Sequence, residues 1–233
     1  MKISLIRRGE GKDLVFFHGY LASKESFMPQ IEYFSKFYRV TAFDFPGFGA
    51  SDPIPFPYSV GDYADWAEEY LASLRIERPL VVAHSFGGRV AVKCLSRGRA
   101  FERAALTGCA GIKKKRTAGY RVKVGAYRFV KKFAPRYAEQ HFGSKEYRTL
   151  SPLMKESYKK IVNEDLREDA KKIDCPVLFL CGEEDSETPL ESAKIYQNCV
   201  KGSSLYVMKH CGHFAHLENP HEFNLAVEEF LSC

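Results

Sequence analysis

The stretch that decides the fold is VVAHSFGGRVA, residues 81–91. An apolar run ends in a histidine and a serine, two glycines follow, and a helical pattern begins at once. Val90, Ala91, Cys94 and Leu95 fall on one face of that helix. The reading is a buried strand that turns sharply into a helix, with one hydroxyl at the bend. A turn this tight strains the backbone at the serine and needs small side chains two residues to either side. Ala83 and Gly87 fill those places, and Gly88 gives further clearance. Taken alone, the pentapeptide also fits a plain strand–turn–helix with a capping serine.

Working outward, short apolar runs recur at Ile3–Ile6, Leu14–Phe17, Arg39–Phe43, Leu80–Ala83, Ala104–Thr107, Val177–Leu180 and Leu205–Met208. Several are apolar throughout, as strands buried on both faces of a parallel sheet are. Helical faces lie between them: Tyr63, Trp66, Ala67, Tyr70, Leu71 and Leu74, and later Phe223, Ala226, Val227 and Phe230. Strand–helix alternation predicts an α/β fold with helices on both faces. The alternation pauses over 112–170, where Tyr120, Val124, Tyr127 and Val130 repeat at helical intervals and Pro135 and Pro152 interrupt. The organisation expected is a core of 1–111 and 171–233 with a helical insertion at 112–170.

A serine becomes a useful nucleophile when a base removes its proton and the oxygen is held exposed. The helix after Ser85 aims its N-terminus at the serine, so the N–H of Phe86 can donate to a developing oxyanion. FFHGY (16–20) ends another strand, and its loop can supply a second donor, the N–H of Tyr20. DFPGFGASD (44–52) suits a tight loop at the same sheet edge, with Asp44 structural. LCGEEDSETP (180–189) places Asp185 just after a strand, and KHCGHFAHLENP (209–220) places His213 after the last one. An imidazole to carry the serine proton and an acid to hold the imidazole are the missing parts of a proton relay. His216 is the rival base, and Glu183, Glu184 and Glu187 are rival acids. His84 is expected to line the pocket and His18 to stabilise its loop.

These stretches, in this order over nearly the whole chain, resemble the α/β-hydrolase superfamily, in particular its small capped esterase-like members. The resemblance implies a mostly parallel eight-stranded sheet with a helical cap inserted after the sixth strand. It assigns Ser85 as nucleophile, Asp185 as acid and His213 as base, with Tyr20 and Phe86 as the oxyanion donors. It favours the histidine directly after Gly212, and the acid whose spacing to Pro189 matches Asp185. A serine at the bend argues against the dehalogenase and epoxide hydrolase branches, which carry aspartate there. Acyl transfer to Ser85 and hydrolysis of an ester or thioester is the expected chemistry, with no metal or cofactor.

Charge adds a regional clue. The net charge is +6, yet residues 113–172 hold eighteen Lys/Arg against seven Asp/Glu, so the remainder is acidic. Tyr120 and Tyr127 are expected, with His84 and Arg89, at the substrate pocket, and the basic helical pattern around the two tyrosines is either a solvated face or a surface for an anionic partner. An acidic acyl carrier protein would suit it, by likeness to the esterases that act on carrier-bound pimeloyl methyl esters. Arg89, one helical turn beyond Ser85, resembles the carboxylate-holding arginine of a menaquinone-pathway lyase that eliminates pyruvate on this scaffold. A hydrolase-fold receptor with residual activity is the third possibility. Nucleic acid is not expected, because the rest of the chain is acidic and no binding motif occurs. Seven cysteines without close pairing suit reduced thiols in a cytoplasmic protein. No apolar run approaches the roughly 20 residues of a membrane span.

Overall fold

A computed structural model describes residues 1–98, 101–113, 147 and 149–232. Seven strands among them form one sheet in the order β1-β3-β2-β4-β5-β6-β7. They are β1 (Leu5–Arg8), β2 (Asp13–Phe17), β3 (Arg39–Phe43), β4 (Leu80–His84), β5 (Ala104–Thr107), β6 (Val177–Gly182) and β7 (Ser204–Met208). β1 pairs antiparallel with β3, and all other pairings are parallel.

The continuous apolar runs are explained by burial on both sides: β2, β4, β5 and β6 are buried at every residue. Alternation sends Phe17, Val81, Ala83, Leu106 and Phe179 into one core layer. Phe16, Val82, Ala105, Leu178 and Leu180 enter the other. Helices α1 (Met28–Phe34), α2 (Val60–Ser73) and α3 (Phe86–Leu95) follow the first strands. Tyr63, Ala67 and Leu71 of α2 and Val90 and Cys94 of α3 cover the first layer. Ile31 and Phe34 of α1, with Phe223 and Val227 of the C-terminal helix Pro220–Ser232, cover the second.

Two expectations need correction. The sheet has seven strands among the described residues where eight were expected; the seven apolar runs account for all of them, and the eighth came only from the resemblance. The insertion accordingly follows β5, the fifth strand. β1 also begins two residues later than its apolar run, because it is an edge strand whose Arg7 and Arg8 are exposed and leave no apolar mark. Within the insertion, Pro152 opens a helix, α4 (Pro152–Val162), at the position where a missing N–H costs nothing, and Ser151 caps it. Ile161, Leu166 and Ala170 pack into the first core layer and return the chain to the sheet. Tyr120, Tyr127 and nearly all of the basic stretch lie outside the described residues.

The described cysteines are free, and Cys233 lies outside the described residues. No described helix is long and apolar enough to cross a membrane.

The ends of β6 and β7 meet at Gly182, where an added Cβ would stand 2.2 Å from the Gly212 carbonyl oxygen and 2.3 Å from that of Cys211. Backbone cannot yield as a flexible side chain does. Gly182→Ala is expected to cost about 1–3 kcal/mol, read as a lowered urea midpoint at unchanged slope.

Candidate active site

The candidate residues all follow the C-terminal ends of strands. His18 to Tyr20 follow β2, Asp44 follows β3, Ser85 follows β4, Asp185 follows β6 and His213 follows β7. β2 is flanked by β3 on one side and β4 on the other, so the chain order reverses there. Open α/β sheets bind ligands in the crevice that such a reversal leaves.

Ser85 holds φ 50° and ψ −106°, outside the regions a side-chain-bearing residue prefers. Its N–H donates to the Thr107 carbonyl at 3.0 Å, and its own carbonyl accepts from Arg89 at 3.2 Å and Ala110 at 3.3 Å. Gly87 permits the helix to abut the sheet, since a Cβ there would lie 2.2 Å from the Phe17 oxygen. The bend thus projects Ser85 Oγ toward the loop after β7.

There His213 Nε2 lies 3.0 Å from Ser85 Oγ, and His213 Nδ1 lies 2.8 Å from Asp185 Oδ2. An ionised Asp185 only accepts, so Nδ1 carries the proton and Nε2 is free to accept from the serine hydroxyl. Asp185 is seated by the N–H groups of Glu187 at 2.9 Å and Thr188 at 2.8 Å, and by the Thr188 hydroxyl at 2.6 Å. Burial alone would raise the Asp185 pKa, but the hydrogen bonds from His213 and Thr188 outweigh it and hold the carboxyl below its ordinary value.

A model of the "Alpha/beta hydrolase family" matches residues 14–226. The chain belongs to the alpha/beta hydrolase family. It is 39% identical over 83 residues to an (E)-2-((N-methylformamido)methylene)succinate hydrolase of Acinetobacter baylyi, covering 36% of this chain and 32% of that one. It is 29% identical over 241 residues to a 2-succinyl-6-hydroxy-2,4-cyclohexadiene-1-carboxylate synthase of Salmonella heidelberg, covering 89% and 88%. A pimeloyl-[acyl-carrier protein] methyl ester esterase of Shewanella woodyi is 37% identical over 89 residues, covering 38% and 32%. The matches to the first and third of these therefore span about a third of those proteins. Among solved structures, a meta-cleavage product hydrolase from Pseudomonas fluorescens IP01 superposes with a TM-score of 0.77 at 25% identity, covering 99% of this chain and 94% of that one.

In this alpha/beta hydrolase the rival histidines take other places. His216 is fully buried against Phe27 and Phe223, and neither ring nitrogen has a hydrogen-bond partner among the described residues. His84 does not sit on an open wall as expected. Its ring is buried beneath His213, with Nε2 donating to the His213 carbonyl at 3.0 Å. His18 secures its loop: Nε2 accepts the Phe45 N–H at 3.0 Å, so Nδ1 donates to the Gly19 carbonyl at 2.7 Å. Asp44 is structural, accepting from the Lys24 N–H and ammonium and from the Ala50 N–H. Of the rival acids, Glu183 and Glu184 are exposed. Glu187 stands at the opposite edge of the His213 ring from Asp185.

Phe86 opens α3, so its N–H has no intrahelical acceptor. A Cβ on Gly19 would lie 3.7 Å from Ser85 Cβ, which brings the Tyr20 loop alongside the serine. The Tyr20 ring packs edge-on against Phe86, Phe48 and Tyr158. Arg89, expected at the pocket, instead donates from Nη1 to the Ile161 carbonyl at 2.9 Å and the Glu164 carbonyl at 3.2 Å. It therefore closes the C-terminal end of α4, where a cation is favoured. Sequence reading missed Thr188, which braces Asp185; an acid followed three residues later by threonine is the signal that could have found it. It also missed Gly108, whose added Cβ would come 3.1 Å from the His213 ring. Among the described residues no cluster of His, Cys, Asp or Glu is arranged to hold a metal.

Three imidazoles are buried neutral. Burial pulls the pKa of His18 down to about 4, that of His216 down to about 3, and that of His84 well below its usual 6.5. The unfolded chain takes up these protons below about pH 6.5 and the folded chain does not, so this stability is complete above that pH and is lost on acidification. Urea midpoints measured from pH 7 to 5 are expected to fall, with roughly two to three protons taken up per unfolding event near pH 5. His216→Phe is expected to remove about one of them.

Proposed function

We propose that this alpha/beta hydrolase is a serine esterase that cleaves a carboxylic ester or thioester through an acyl-enzyme. The observation that carries the reading is the path from Asp185 through the His213 ring to Ser85 Oγ, with steps of 2.8 and 3.0 Å. Nε2 takes the hydroxyl proton as Oγ bonds to the carbonyl carbon. It then gives that proton to the leaving oxygen or sulfur as the scissile bond breaks. Water, deprotonated by the same nitrogen, attacks the acyl-enzyme and releases the acid and the serine. Asp185 keeps the proton on Nδ1 and stabilises the imidazolium that forms. The N–H groups of Phe86 and Tyr20 receive the oxyanion. In this reading the segment 112–170 is the cap, and its Lys/Arg-rich sequence is what would suit an acidic acyl carrier protein.

A second reading, elimination chemistry, is favoured by the near full-length likeness to the cyclohexadiene carboxylate synthase. Arg89 would be the cation for a substrate carboxylate. Its Nη1 is already bonded to two backbone carbonyls, which places the esterase reading first.

Short p-nitrophenyl esters test the proposal. Ser85→Ala and His213→Ala are each expected to lower turnover by about 10⁴ or more with far-UV circular dichroism unchanged, whereas His216→Phe retains turnover. Unchanged hydrolysis by Ser85→Ala removes the mechanism, and a single burst without turnover in the wild type favours a receptor.

A further inference from the structure

We infer that Glu187 selects the leaving group and favours esters of alcohols that carry a positive charge; this rests on the roles of Ser85, His213 and Asp185 proposed above. Two carboxylates flank one imidazole. Asp185 Oδ2 is 2.8 Å from Nδ1, and Glu187 Oε2 is 3.7 Å from Nε2. Their settings are opposite, for the Asp185 side chain is closed to solvent and that of Glu187 is 69% exposed. The placement is not that of a free loop side chain. The Glu187 N–H donates to Asp185 Oδ1 at 2.9 Å, so the hydrogen bonds that seat the acid also fix where the Glu187 side chain begins.

The edge of the ring decides the function. Nε2 is the nitrogen that hands a proton to the departing atom, which must come within about 3 Å of it. The acyl carbon stays bonded to Ser85 Oγ, and the alcohol is the part that meets Nε2. A negative charge beside Nε2 therefore acts on the alcohol. It attracts a cationic group a few bonds beyond the ester oxygen and repels an anionic one. Because Glu187 is exposed, the attraction is modest, about five-fold at low ionic strength, and salt screens it.

The test compares kcat/KM for a choline ester with that for the 3,3-dimethylbutyl ester of the same short acid, its uncharged isostere. The wild type, Glu187→Gln and Glu187→Lys are measured at low salt and at about 0.5 M salt. The expected result is a cationic-to-neutral ratio that falls about five-fold in Glu187→Gln, falls further in Glu187→Lys, and shrinks in the wild type as salt rises. A ratio that stays the same in all three proteins, or a Glu187→Gln change that lowers both esters by one factor, overturns the role of Glu187 and leaves the esterase reading standing. Cleavage of neither ester by the wild type overturns the role of Glu187, and overturns the esterase reading as well when p-nitrophenyl esters are also left intact.

Discussion

Everything at this sheet edge depends on the backbone of Ser85 being held where it does not want to be. A residue at φ 50°, ψ −106° costs about 1–3 kcal/mol relative to relaxed backbone. Nothing local repays it, so the restraint has to come from packing. Gly87 seats α3 against the last carbonyl of β2, and the Ser85 N–H is bonded to the last carbonyl of β5. Both strands are buried along their whole length. Burying one large apolar side chain is worth about 1.5–3 kcal/mol, so Phe16 and Phe17 alone cover the strain. The strained turn survives because it is bolted to the centre of the sheet and not to its rim.

The same packing positions His213. His213 sits in a loop, and loops are poor at holding a ring to within a few tenths of an ångström. Here the loop is pinned from three sides. Gly182 lets the β6 end press against Cys211 and Gly212, Gly108 leaves room for the imidazole, and His84 grips the His213 carbonyl from below. His84 immediately precedes Ser85. One residue therefore belongs to the turn that sets the hydroxyl and also to the contact that sets its partner, so the two move together. That contact needs a ring N–H, which an apolar ring would not supply.

Much of this was legible in the sequence. Strands buried on both faces write themselves as uninterrupted apolar runs, and the runs for β2 to β7 lie within two residues of the observed strands. The small residues around Ser85 are demanded by backbone geometry, so they mark the turn directly. What was not legible depends on contacts across the fold. The second half of the edge strand β1, Arg7 and Arg8, faces solvent and leaves no apolar signature. Nothing in the local pattern around His84 or Arg89 says that one grips the His213 backbone and the other the end of α4, because those partners lie about 129 and 72 to 75 residues away. Spacing brings a residue to the right edge of the sheet, but its bonding is decided by what arrives there from elsewhere in the chain.

The histidines and acids show why residue type alone sorts so little. His18, His84 and His216 share one chemistry with His213, and burial strips the first three of any charge near neutral pH. A proton arriving on His213 therefore meets no competing cation among those neighbours, and its stabilisation falls to carboxylates. The acids divide in turn by which edge of the ring they reach. Asp185 is closed to solvent and committed by four hydrogen bonds, so it can orient and balance charge but cannot meet a substrate. Glu187, two residues on, faces water at the other nitrogen. A reverse of direction within three residues of one turn puts a negative group on both sides of the imidazole, one turned inward against Nδ1 and one outward beside Nε2.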